Sequence, residues 1–286
     1  MGHQEHHHQH HGAGETDESG LAELVDLDAE VLHAYLSELT GWIRELTDGR
    51  PPGRILDLGS GTGTGTFALL ERFPAADATA LDASPEMLRR VTAKAAGLGL
   101  AGRVHPIQVD LDAAWPAVGP ADLVWASLSL HHLADPDRAL TEVLTKLRPG
   151  GLLVVAEMES FPRFLADDLG LGQPGLEERC RAALAAERAA ELPHLGADWG
   201  AYLVRAGFTV VAERLFAIEL TPPLPASAGR YAQATLRRIR SGLADRMSSE
   251  DLATLDTLIG DGPQGVLRRD DLTVRTTRIV WVARRP

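Results

Sequence analysis

Two rhythms of apolar positions run along the chain. Between Leu21 and Leu46 the residues Leu24, Leu27, Val31, Leu32, Tyr35, Leu36, Leu39, Trp42, Ile43 and Leu46 fall three or four places apart. That step puts side chains on one helical face and predicts an N-terminal helical lid over residues 21–50, in one or two helices broken near Asp28. Asp48-Gly49 and Pro51-Pro52-Gly53 close it. From Arg54 the rhythm changes to short apolar runs alternating with amphipathic segments, the signature of a parallel sheet wrapped by helices. Strands are predicted at Arg54–Leu58, Asp77–Leu81, Val104–Val109, Asp122–Ala126 and Leu152–Ala156. Helices are predicted at Thr64–Phe73, from Pro85 to Gly97 or Gly99, and from Pro136 to Leu147. Ser84-Pro85-Glu86 and Asp135-Pro136 open two of these with a capping oxygen followed by proline at the first helical position.

Beyond Glu157 the alternation is interrupted twice. Helical insertions are predicted near 160–195, centred on the Ala- and Glu-rich stretch 176–191, and near 221–262, with helices at 227–241 and 248–259. Between and after them come a helix at Asp198–Ala206 and strands at Phe208–Leu220 and Leu272–Ala283. Residues 1–20 are polar, hold six of the eleven histidines (His3, His6, His7, His8, His10 and His11), and are expected to form a disordered tail.

Composition narrows the function classes. Forty acidic against twenty-eight basic residues leave a net charge of −12, which disfavours nucleic acid as a partner. The single cysteine, Cys180, allows neither an internal disulfide nor a thiolate metal cage. No metal site is expected in the folded part, where no three ligands fall at a suitable spacing. No apolar run reaches the length of a membrane span, and the N-terminus lacks the basic start and hydrophobic stretch of a signal peptide. A cytoplasmic enzyme or binding protein, as monomer or homodimer, is the resulting expectation.

The string RILDLGSGTGTGT joins a strand to a helix through glycines at 59, 61, 63 and 65. Such a loop brings backbone close to a ligand at a helix N-terminus. A dinucleotide fingerprint, G-x-G-x-x-G, fails here because Thr64 or Thr66 occupies its last place. The string matches instead an acid followed by alternate glycines: Asp57, Gly59, Gly61, Gly63. With the later strings ALDASPEML, IQVDLD, DLVWASLSLHHL and LRPGGLLVVAE in order, the chain resembles the class I S-adenosylmethionine-dependent methyltransferases of small-molecule type.

That resemblance covers residues 54–158 closely and the last two strands loosely. It implies a methyltransferase domain over 51–286 with a Rossmann-like, seven-stranded, mostly parallel sheet and helices on both faces. It implies S-adenosyl-L-methionine as cofactor, held by Asp57, Gly59, Ser60, Gly61 and Gly63 of the glycine loop and by Asp82, which grips the ribose. Ala83 and Met87 would lie along the adenine, Asp110 would take its amino group beside Leu111, and Ser127 would complete the wall.

A sulfonium methyl is already activated, so the protein's task is to align a nucleophile and exclude water. For an acceptor that must lose a proton, His131 is the leading candidate base, with His132, His194 and Glu157 as alternatives. Tyr35, Trp42, Phe161, Phe164 and Trp199 are candidates to line an apolar acceptor pocket. Arg230, Arg237, Arg238, Arg240 and Arg246 give the second insertion a basic balance suited to a substrate carboxylate or to a solvated helix face. Two alternatives stand beside a small-molecule enzyme: a non-catalytic protein binding S-adenosylmethionine or its demethylated product, and a methyltransferase acting on RNA or protein.

Overall fold

The computed structural model describes residues 11–158, 160–243 and 246–286. The histidines from His3 to His10 lie outside the described residues. The chain opens with helices α1 (His11–Val31) and α2 (His33–Leu46). The sheet then begins with β1 (Arg54–Leu58), α3 (Thr64–Arg72), β2 (Asp77–Asp82), α4 (Pro85–Gly97), β3 (Val104–Gln108) and β4 (Ala121–Ser127). It continues with α5 (Pro136–Lys146), β5 (Leu147–Glu157), α6 (Leu176–Glu191), α7 (Trp199–Arg205) and β6 (Thr209–Leu220). Helices α8 (Ala228–Ser241) and α9 (Ser249–Ile259) precede the closing strand β7 (Val274–Arg284).

The seven strands run in the order β3-β2-β1-β4-β5-β7-β6, with β7 antiparallel to both neighbours and the pairs from β3 to β5 parallel. The chain steps outward from β1 to β3, then crosses back to β4, so β1 and β4 flank the point where the winding reverses. In open α/β sheets that point creates a crevice beyond the carboxyl ends of the strands.

Side chains alternate across the sheet. Ile55, Leu123 and Trp125 face a core shared with Leu39 and Ile43 of α2, Leu69 of α3 and Val91 of α4. Leu56, Leu58, Val124 and Ala126 face the opposite core with Leu140 of α5 and Trp199 and Leu203 of α7. A third core joins Leu27 and Val31 of α1 to Leu176 and Leu184 of α6, Tyr231 and Leu236 of α8, and Leu255 of α9. The two insertions and the N-terminal helix therefore form one apolar cap over one end of the sheet.

The structure moves two sequence expectations. The break between α1 and α2 falls at Leu32, not near Asp28, because the amide of Leu32 still donates to the Asp28 carbonyl at 2.8 Å and the Asp28 carboxylate is engaged elsewhere. Helix α1 also starts at His11, ten residues before Leu21, and its Glu18 accepts a 2.9 Å hydrogen bond from the Ser84 hydroxyl.

Candidate active site

Strand β1 delivers Asp57 and then turns sharply into α3. Gly59 and Gly61 adopt φ of +64° and +53°, a region that favours glycine. A side chain at Gly59 would put its Cβ 2.6 Å from that of Ser129. The loop is pinned to the next strand: the Ser60 amide donates to the Leu81 carbonyl at 2.9 Å, and the Gly61 amide donates to Asp82 Oδ2 at 2.7 Å. The other Asp82 oxygen accepts from the Ser84 amide at 2.8 Å, so one carboxylate ties the glycine loop to the start of α4. Asp57 is 2% exposed and accepts from the Thr66 hydroxyl at 2.5 Å. Burial pushes its carboxyl up to about 7, against the lowering effect of that hydrogen bond, and the charge of Asp82 adds to the rise.

A cavity of about 620 Å³ opens above this loop. Its wall includes Asp57, Gly59, Ser60, Gly61, Asp82, Ala83, Met87, Asp110, Leu111, Ser127 and His131. Gly63 stands apart from the wall. It caps α3 at φ +82°, where an added Cβ would lie 2.8 Å from the Phe67 ring and 3.1 Å from Val91, so its part is to let α3 and α4 pack. The opposite wall is apolar helix surface from the cap, including Leu24 and Val25 of α1, together with Phe161, Leu192 and Leu195. Of the five aromatic candidates, Tyr35 and Phe161 reach the cavity. Trp42 packs edge-on against Phe216, Phe164 against Tyr231, and Trp199 is buried beside Tyr202.

Beyond β4 the chain takes an unusual path. Leu128, a residue with a Cβ, sits at φ +53°, held by a 2.9 Å hydrogen bond from its amide to the Ala156 carbonyl. The parallel register of β4 on β5 pairs Ser127 with Ala156, which brings Glu157 beside the turn that follows. Glu157 accepts from the Leu130 amide at 3.0 Å, and its other oxygen lies 2.6 Å from His131 Nδ1. Both side chains are 3% exposed. With Nδ1 engaged, Nε2 is the ring nitrogen left to serve the cavity that His131 lines. His132 stacks on His131 at 4.2 Å between ring centroids and opens onto the same cavity. Desolvation, then the charges of His131 and Arg238, hold its pKa well below the ordinary histidine value. His194 is turned away, its Nδ1 3.2 Å from the Tyr202 hydroxyl.

Wall residues that escaped the sequence reading include Asp28, Tyr231, Thr235 and Arg278. Arg278 is 2% exposed, donates to Asp28 Oδ1 at 2.8 Å and to the Thr276 hydroxyl at 2.6 Å, and Asp28 also accepts from the Tyr231 hydroxyl. The available signal was an arginine placed within the strand-like run VRTTRIVWV, where a buried cation needs a partner.

The residues present fit a nucleoside bearing a charged tail. The hydroxyls of Ser60 and Ser129 are buried on the cavity wall without a hydrogen-bond partner in the protein. Each Asp82 oxygen accepts one backbone hydrogen bond and keeps a lone pair for a ligand hydroxyl. Sheet order, glycine loop and strand-end acid are those that the resemblance to the class I S-adenosylmethionine-dependent methyltransferases implies.

Comparison with known proteins agrees. Residues 55–151 match the family described as methyltransferase domain. The chain is 35% identical over 177 residues to a malonyl-[acyl-carrier protein] O-methyltransferase of Laribacter hongkongensis, covering 59% of this chain and 55% of that one. It is 40% identical over 101 residues to a trans-aconitate 2-methyltransferase of Azoarcus sp., covering 35% and 37%. The chain thus spans about half or less of the length of these curated relatives. In fold it is similar to a Bacillus halodurans structure provisionally described as a methyltransferase, with a TM-score of 0.53 at 16% identity over 86% of this chain and 98% of that one. The YcgJ protein of Bacillus subtilis gives a TM-score of 0.50 at 17% identity over 86% and 97%. Among the described residues no helix is long and apolar enough to cross a membrane, and no group of three or more His, Cys, Asp or Glu side chains is placed to hold a metal ion.

Proposed function

We propose that the protein is a cytoplasmic enzyme that moves a methyl group from S-adenosyl-L-methionine to an oxygen, nitrogen or carbon of a small-molecule acceptor. One observation carries this reading: a single cavity joins the glycine loop and Asp82 to a buried His131–Glu157 pair. The names of two relatives, for methyl transfer to malonyl-[acyl-carrier protein] and to trans-aconitate, support a metabolite acceptor.

Asp57, Gly59, Ser60, Gly61, Asp82, Ala83, Met87, Asp110, Leu111 and Ser127 would hold the cofactor. When bound, its sulfonium supplies a methyl group already activated for attack. The chain's own residues supply position and proton management. His131 Nε2 takes the proton of an acceptor O–H or N–H as the nucleophile reacts. Glu157 fixes the imidazole so that Nδ1–H points to the carboxylate and Nε2 stays free, and it stabilises the imidazolium that forms. The apolar cap of α1, α6 and α8 keeps water from the reacting groups.

The test is acceptor-dependent release of S-adenosylhomocysteine across a panel of metabolites. Release above the acceptor-free rate with at least one compound is expected. Tight cofactor binding with no acceptor-dependent turnover on metabolites, RNA or protein would favour a binding protein instead; turnover confined to RNA or protein would favour a macromolecular enzyme.

A further inference from the structure

The sheet sorts the charges that face the cavity. Asp57, Asp82 and Asp110 stand at or just past the ends of β1, β2 and β3, on one half of the strand order, while Arg278 comes from β7 on the other half. Over the second half α8 presents Tyr231, Thr235 and Arg238 at steps of four and three residues, one helical stripe along the cavity wall.

The three members of that stripe differ in what they already bind. The Tyr231 hydroxyl donates to Asp28. Thr235 is 1% exposed, and its hydroxyl has no hydrogen-bond partner in the protein, an uncommon state for a buried polar group. Arg238 is exposed where it borders the cavity, and its guanidinium bonds to no described residue. Elsewhere on the helix Arg230 pairs with Glu23 at 3.1 Å and Arg240 with Asp256 at 2.9 Å, and Arg237 is not part of the cavity wall. Arg278 is likewise neutralised by Asp28. One uncompensated cation beside one orphaned hydroxyl is a site for a single negative charge with room for a hydrogen bond. Leu133, Met158, Phe161 and Leu192 give the same cavity apolar wall, and His132 lies close enough to feel the charge of Arg238.

We infer that Thr235 and Arg238 form an acceptor subsite for a carboxylate carried on an apolar body. The guanidinium takes the charge, the Thr235 hydroxyl donates to a carboxylate oxygen, and the apolar wall holds the rest of the molecule. This deepens the methyltransferase reading and rests on it. It makes α8, outside the residues that match the methyltransferase family, the element that selects the acceptor.

Calorimetry on the full chain saturated with S-adenosylhomocysteine tests it, with phenylacetate and octanoate against phenylacetamide and octanamide as probes. The acids are expected to bind at least tenfold more tightly than their amides. Arg238→Met should erase that preference, Arg238→Lys should restore part of it, and Thr235→Val should weaken the acids several-fold. In all three variants S-adenosylhomocysteine should bind within twofold of the parent, which also reports that they fold. Equal binding of acids and amides, binding of neither, or an acid preference that survives Arg238→Met overturns the subsite. Failure of the parent to bind S-adenosylhomocysteine would instead strike the methyltransferase reading itself.

Discussion

His131 Nδ1 lies 2.6 Å from a carboxylate oxygen of Glu157, and the two residues come from the turn after one strand and the end of its neighbour. Neither is held by sequence proximity. The parallel register of β4 on β5 aligns them, and the Leu130 amide holds the second Glu157 oxygen. If His131 is the base, His131→Gln lowers kcat on an O–H or N–H acceptor by about 10²–10⁴-fold, the usual contribution of general base catalysis. Glu157→Gln, which disturbs only the orientation and charge support of the imidazole, lowers kcat less. Both leave KM for the cofactor within about threefold. Steady-state kinetics check this, and a change confined to KM would contradict it.

Asp82 both braces the glycine loop and offers lone pairs to a ribose. Asp82→Ala is expected to weaken S-adenosylmethionine at least tenfold, in keeping with the loss of charge-assisted hydrogen bonds at about 1.4 kcal/mol per decade. Calorimetric titration measures it. Unchanged affinity would remove the ribose from this strand end.

Gly65 lies in the first turn of α3, where an added Cβ would clash with the Nε1 edge of the Trp125 indole. Trp125 is 2% exposed and packed in the core, so displacing the ring disturbs its neighbours or pushes it into the cavity it borders. Gly65→Ala should cost about 1–3 kcal/mol through overpacking. Urea denaturation monitored by tryptophan fluorescence would show it, and a stabilised variant would contradict the packing described.

Asp57 has its carboxyl raised from 3.8 to about 7 by burial. Between those values the folded chain keeps a proton that the unfolded chain has released, so raising the pH through this window removes stability. Asp57→Asn lacks that titration. Its stability relative to the parent should therefore improve from pH 4 to pH 7.5, as read from urea midpoints of the cofactor-free proteins. A difference that stays constant across the range would contradict the burial of an ionisable Asp57.

Arg278→Met leaves Asp28 without its cation while Tyr231 still donates to it. The expected loss is about 3 kcal/mol, the lower end for breaking a buried pair, because the Asp28 side chain is a quarter exposed. The double variant Arg278→Met, Asp28→Asn should recover part of it. Additive losses would mean the two residues do not act as a pair.

The parts legible in the sequence are those set by local spacing. The glycine loop, the strand-end acid Asp82 and the α4 cap each fit within about ten residues, and helix α6 falls at 176–191 as its composition predicts. The sheet order follows from that series of strands and helices and from the family resemblance. Across the cavity the picture depends on distance along the chain. Arg278 meets Asp28 across 250 positions and Tyr231 meets it across 203. No periodicity encodes such pairs, and Asp28 reads locally as a helix break because its partners are out of sight. Gly63 shows the reverse: a motif glycine that does not border the cavity and whose missing side chain lets α3 pack on α4.

The central claim is that this cavity holds S-adenosylmethionine. Calorimetric titration of the full chain with S-adenosylmethionine, S-adenosylhomocysteine and NAD in parallel tests it most directly. The account predicts micromolar binding of the two sulfur nucleosides and none of NAD. Binding of NAD, or of none of the three, would contradict it.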